Sequence, residues 1–132
     1  MEIGDATSSV AKGSWRNLPL IESERLDELR NIAGPNGDIF LAELRDAFAQ
    51  DAAERVETIG KAIDEGDTGA LRNVAHTLKG SCTNIGATAM AAICLILENH
   101  GRDATIQGTA ELLIALTEVF ESTTQAFNDI VD

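Results

Sequence analysis

Tyrosine is absent from this 132-residue chain, and the remaining aromatics are one tryptophan and four phenylalanines. The core must therefore be mainly aliphatic, which suits packed helices better than a β-sandwich rich in aromatic and β-branched runs. Positive charge is scarce as well: 10 Lys and Arg stand against 22 Asp and Glu, for a formal net charge of −12. That balance repels nucleic-acid phosphates and anionic membrane surfaces, so neither is an expected partner. No apolar run approaches the roughly 18 residues a membrane span requires. The start "MEIGDATSSVAKGSW" has no basic head followed by an apolar block, and the cytoplasm is the default location. Only two cysteines occur, Cys82 and Cys94; without a framework spacing they read as buried thiols in a reducing compartment.

What is present is helical periodicity. A chain of this length fits one domain that buries roughly two thirds of its unfolded surface. Residues 1–20 are rich in Gly, Ser, Thr and Asp and show no period, which predicts a flexible leader or interdomain linker, with Trp15 and Leu18 able to dock on the body. The body is expected over 21–132. A short amphipathic helix follows Ile21, with Ser23 as N-cap, Leu26, Leu29 and Ile32 on one face, and Gly34-Pro35 as its stop. From Asp38 to Glu65, Leu41, Leu44, Phe48, Ala52, Val56, Ile59 and Ile63 recur in steps of three and four, the mark of a long helix with one buried stripe. Gly66 ends it, and Asp67 or Thr68 can cap a third helix that runs to Ile85 before Gly86. A fourth helix, Ala87 to His100, buries Met90, Ile93, Cys94 and Leu97, and "GRD" breaks its pattern. A last long helix from Thr105 carries Leu112, Leu113, Leu116, Thr123, Phe127 and Ile130. The pattern predicts an all-α protein: an antiparallel up-down-up-down four-helix bundle with an additional short N-terminal helix.

The third helix holds the stretch "AHTLKGSCTNIGA", residues 75–87. At about 100° per residue, with Leu71 as zero, Val74, Ala75, Leu78, Cys82 and Ile85 fall within roughly 60° and form the core stripe. His76 lies at about 140°, Gly80 at about 180°, Thr83 at about 120°, Arg72 at about 100° and Lys79 at about 80° by the same arithmetic. The histidine therefore points outward. Glycine inside a helix costs about 1 kcal/mol relative to alanine, and no turn or cap accounts for Gly80. Its place one turn after His76 suits something that approaches the backbone. Lys79 can steady an anion built on the imidazole, and a neutral ring nitrogen is a competent nucleophile. These residues fit a phosphoryl group carried on His76; a surface histidine beside an incidental glycine fits them too.

The same stretch closely resembles the signature of histidine-containing phosphotransfer (HPt) domains of bacterial and fungal phosphorelays, with His76, Leu78, Lys79, Gly80, Ser81, Gly86 and Ala87 in family positions. The likeness runs from about Ile21 to Ile130, through "RLDELR" and "FLAEL" before the signature and "LENHGR" after it. It implies a four-helix bundle with an extra N-terminal helix. It also implies that His76 accepts a phosphoryl group from a receiver-domain aspartate and passes it to another receiver, with Lys79 as the phosphate-side cation and Gly80 as clearance for the partner. Glu98 and Arg102 match positions beside the active histidine, although Glu98 also sits at the edge of its helix's core stripe. Arg72 and Thr83 share the histidine's face, where they can touch a receiver or simply be solvated. Leu26, Leu29 and Ile32 resemble the family's docking patch, and core packing explains them equally. Cys82 stands where the family often has serine or alanine; lying on the core stripe, it reads as packing.

Family members carry no nucleotide site, and this chain shows no P-loop, no kinase-type glycine loop and no acidic cluster framed for magnesium. No cofactor of its own is expected; Mg2+ belongs on the partner. The expected partners are receiver (response-regulator) domains and other domains of a parent kinase. The "CTNIGA" segment and the linker-like residues 1–20 favour the terminal domain of a hybrid sensor kinase, in the cytoplasmic part of a membrane-bound sensor. A free-standing phosphotransfer protein, the phosphoacceptor domain of a chemotaxis-type kinase and a helical interaction module without phosphotransfer are the alternatives. A metal site on His76, Cys82, Cys94 and His100 is disfavoured, because the members of each within-helix pair lie about 240° apart.

Overall fold

The computed structural model describes residues 14–131. The leader expected over 1–20 lies outside the described residues as far as position 13. Five α-helices follow one another: α1 (Ser23–Ala33), α2 (Gly37–Glu65), α3 (Thr68–Ile85), α4 (Thr88–Arg102) and α5 (Thr109–Val131), with 3-10 turns at Ser14–Asn17 and Gly34–Asn36. No strand occurs among the described residues, and no helix there is long and apolar enough to cross a membrane.

The boundaries have local causes. α2 and α3 end on Gly66 and Gly86, both left-handed at φ 70° and 80°, and their N–H groups turn back to carbonyls of the last turn. Asp67 caps α3, its side chain accepting from the Ala70 N–H at 3.0 Å. At α1 the expected cap is displaced by one residue. Ser23 is already helical and Glu22 occupies the N-cap without a side-chain cap bond, because its N–H donates to the Gly86 carbonyl at 2.9 Å and its carboxylate takes the Thr88 hydroxyl. Pro35 opens the turn that leads directly into α2, so that helix starts at Gly37 rather than Asp38.

α2 to α5 form a closed bundle in which each helix packs on its sequence neighbours and α5 returns to α2. The predicted stripes meet inside it. Leu41, Phe48, Ala52 and Ile59 of α2, Leu71, Ala75, Leu78, Cys82 and Ile85 of α3, Met90, Ile93, Cys94 and Leu97 of α4, and Leu112, Leu116, Thr123 and Phe127 of α5 are buried. Phe48 and Phe120 join α2 to α5 edge to face, with ring centroids 6.4 Å apart. Cys82 and Cys94 are free core thiols. A hydrogen bond with Cys82, and then burial, push the Cys94 thiol well above its ordinary value, which keeps it protonated and inert.

α1 is tied to the α3–α4 turn by Arg25, whose Nε donates to the Asn84 carbonyl at 2.8 Å. Of its apolar residues, Leu26 is fully buried, Leu29 is half-buried and Ile32 is 79% exposed. Core packing thus claims Leu26, and only Ile32 presents itself to a partner. Trp15 is buried as well; its turn packs on α4, and the Pro19 carbonyl accepts the Ala89 N–H at 3.0 Å.

Candidate functional site

Because α3 turns its apolar stripe inward, His76 emerges from the middle of the helix with 66% of its side chain exposed. What lies behind it depends on α4. No pair of helices packs more extensively than α3 and α4, and a glycine makes this possible. A Cβ on Gly101 would stand 2.6 Å from the backbone nitrogen of Arg72 and 2.8 Å from its Cα, so the two backbones touch where any side chain would separate them. In this antiparallel pair, stepping one turn forward from Arg72 reaches His76, while stepping one turn back from Gly101 reaches Glu98. The contact sets the register that brings those two side chains together.

Glu98 is only 5% exposed and accepts on both oxygens. Lys79 Nζ donates to Oε1 at 2.6 Å. His76 Nδ1 lies 2.9 Å from Oε2, and Arg102 Nη2 is 3.6 Å from the same oxygen while its Nη1 donates to Asn99 Oδ1 at 2.7 Å. The hydrogen bond from Lys79 does most to hold the Glu98 carboxyl below its ordinary value; burial opposes this, and His76 adds to the lowering. An ionised carboxylate has no proton to give. The network therefore assigns the His76 proton to Nδ1 and leaves the lone pair on Nε2 of an exposed ring.

The other predicted residues take distinct places. Gly80 has nothing within 4 Å of where a Cβ would stand, so its missing side chain serves no packing need inside the chain. The Thr83 hydroxyl donates back to the Lys79 carbonyl at 2.9 Å. Arg72 is exposed on the histidine's face of α3. His76, Lys79, Glu98 and Arg102 thus converge, with Arg72 and Gly80 flanking them and Thr83 further along α3.

Both His76 and Lys79 are paired with the Glu98 carboxylate. The residue that sequence reasoning passed over is Gly101. "GRD" read as a helix break, yet α4 continues through Arg102; a small residue one turn beyond a carboxylate was the available signal for close approach. Cys82 and Cys94 lie in the core, apart from the outward ring of His76. Among the described residues no group of three or more His, Cys, Asp or Glu is placed to hold a metal ion.

Fold and site together define a helical-bundle protein that presents one exposed histidine backed by a buried, ionised carboxylate. The Hpt domain family matches residues 43–126, and the chain belongs to that family. It is 32% identical over 85 residues to histidine-containing phosphotransfer protein 4 of Arabidopsis thaliana, a match covering 63% of this chain and 65% of that protein. The chain thus spans slightly under two thirds of that relative's length. The crystal structure of histidine-containing phosphotransfer protein B from Pseudomonas aeruginosa PAO1 superposes with a TM-score of 0.77 at 27% identity, over 87% of this chain and 96% of that one. A rice structure with a TM-score of 0.74 and 19% identity, over 97% of this chain and 92% of its own, shares the fold.

Proposed function

We propose that this chain is a histidine phosphotransfer module of a phosphorelay, accepting and donating phosphoryl groups at Nε2 of His76. The lone pair on Nε2 attacks the phosphorus of a receiver-domain aspartyl phosphate. A P–N bond forms, the P–O bond to the acyl oxygen breaks, and its electron pair leaves on the aspartate carboxylate. Transfer to a second receiver is the same step reversed. No proton moves in either direction, because Nδ1 keeps its proton on Glu98 throughout, and the positive charge that the ring gains sits beside that carboxylate.

The observation that carries this reading is the 2.9 Å contact between Nδ1 and Glu98 on a ring whose other face is open. Both Glu98 oxygens are engaged, so the carboxylate nearest the histidine is not poised to activate water, and hydrolysis gains no base. The open surface at Gly80 admits the partner. Mg2+ and the remaining charge neutralisation come from the receiver, whether that domain belongs to a parent hybrid kinase or to a separate response regulator.

The test is to mix the purified chain with a phosphorylated receiver domain and follow acid-labile, base-stable phosphate. Label is expected on wild type and absent from His76→Gln, which keeps its fold because the side chain is exposed and loses at most the hydrogen bond to Glu98, about 1.5–3 kcal/mol. Equal labelling of both proteins would refute the site. A chain labelled only by a kinase with ATP would favour the phosphoacceptor domain of a chemotaxis-type kinase.

A further inference from the structure

We infer that Arg72, rather than Lys79, is the side chain that holds the phosphoryl oxygens once His76 is phosphorylated; this rests on the phosphotransfer reading above. A phosphoryl group on Nε2 brings about two negative charges to the surface of an already acidic chain. Three cations stand near it. Lys79 is bonded to Glu98 Oε1 at 2.6 Å. Arg102 is shared between Glu98 and Asn99. Arg72 is exposed and, among the described residues, has no carboxylate partner.

Lys79 is poorly placed to change sides. It provides the hydrogen bond on Oε1 of a nearly buried carboxylate, and withdrawing it strands that oxygen without a donor. Arg72 has no such commitment. It lies four residues before His76 on α3, a spacing that puts Cβ atoms about 6 Å apart on one face. Helical side chains lean over the turn that precedes them, so the His76 ring overhangs the turn of Arg72 and not that of Gly80. A planar guanidinium also offers two parallel N–H donors to two phosphoryl oxygens, which an ammonium does not. Its origin is fixed, because the Arg72 backbone is locked against Gly101. The labour is divided: Lys79 holds Glu98, Glu98 holds the tautomer, and Arg72 receives the product's charge.

The equilibrium of transfer separates this role from partner docking. Contacts made only in the complex change forward and reverse rates together, whereas stabilising phosphohistidine changes the ratio of free phosphorylated species. Wild type, Arg72→Gln and Arg72→Lys are each brought to equilibrium with one phosphorylated receiver domain, and the phosphoryl group is apportioned between the two proteins. Arg72→Gln is expected to lower the equilibrium constant toward the chain by about two- to fivefold, as for an exposed ion pair. Arg72→Lys, which keeps the charge but not the paired donors, falls between wild type and Arg72→Gln, and the differences shrink in about 1 M salt. An unchanged constant with both rates slowed would make Arg72 a docking residue and overturn the inference, as would an equal loss in Arg72→Lys. Failure of wild type to accept phosphate from any receiver would overturn the phosphotransfer reading instead.

Discussion

Replacing Glu98 with glutamine tests the centre of the mechanism, because the change keeps shape and removes charge. The carboxylate accepts from Lys79 at 2.6 Å and faces His76 Nδ1 at 2.9 Å. A hydrogen bond to a charged group contributes about 1.5–3 kcal/mol. Two effects reduce the loss: Lys79 is 28% exposed and regains water, and the glutamine oxygen retains one of the two donors. The net destabilisation at neutral pH is then about 1–3 kcal/mol, or about 3–10 °C in Tm for a domain of this size. The loss depends on pH in a defined direction. Glu98 is held below the 4.5 of a free glutamate, so its contribution is complete above that value and disappears as pH falls through the lower folded value, where the unfolded chain binds more protons. The gap between wild type and Glu98→Gln therefore closes on acidification below 4.5. Urea unfolding at about pH 7 and about pH 3.5 measures it. Nitrogen-15 correlation spectra of His76 report the tautomer, expected as Nδ1–H in wild type and shifted toward Nε2–H in the variant, with phosphoryl acceptance falling at least about tenfold. Equal stability of the two proteins at neutral pH, or a wild-type His76 already protonated at Nε2, would refute the reasoning.

Gly80→Gln leaves the fold intact or raises stability by up to about 1 kcal/mol, since it removes an interior helix glycine and its Cβ enters open space. Transfer from a receiver nevertheless slows, while acceptance from a small donor such as phosphoramidate is unchanged; loss of both, or of neither, counts against a clearance role. Gly101→Ala places a Cβ 2.6 Å from the Arg72 backbone, where no flexible side-chain end can yield. It is expected to cost about 1–3 kcal/mol in thermal or urea unfolding and to weaken the coupling of His76 to Glu98, seen as the same tautomer shift. A stable Gly101→Ala protein with wild-type His76 spectra would show that the two backbones can part without disturbing the site.

The helices and their inward faces are legible because periodicity is local. The spacing of Leu71, Ala75, Leu78, Cys82 and Ile85 dictates which way α3 turns, and hence that His76 points out, whatever α3 packs against. The left-handed caps at Gly66 and Gly86 and the N-cap at Asp67 are equally local. At two places where expectation and structure part, a long-range contact is responsible. Glu22 displaces Ser23 at the α1 cap because it is anchored to the α3–α4 turn, and Leu26 leaves the candidate docking patch because the core takes it.

The sequence by itself determines an acidic, all-helical chain with an exterior histidine followed by a lysine and an unexplained glycine. Those properties follow from composition and from rotation about one helix axis. Only the tertiary structure decides what stands behind that histidine. Rotation within α3 says nothing of how far α4 slides along it; the backbone contact at Gly101 decides that. It carries Glu98 from the edge of a stripe into the His76–Lys79–Arg102 cluster. Register between helices is a property of the packed pair, and with it come the tautomer of His76, the commitment of Lys79 and the freedom of Arg72.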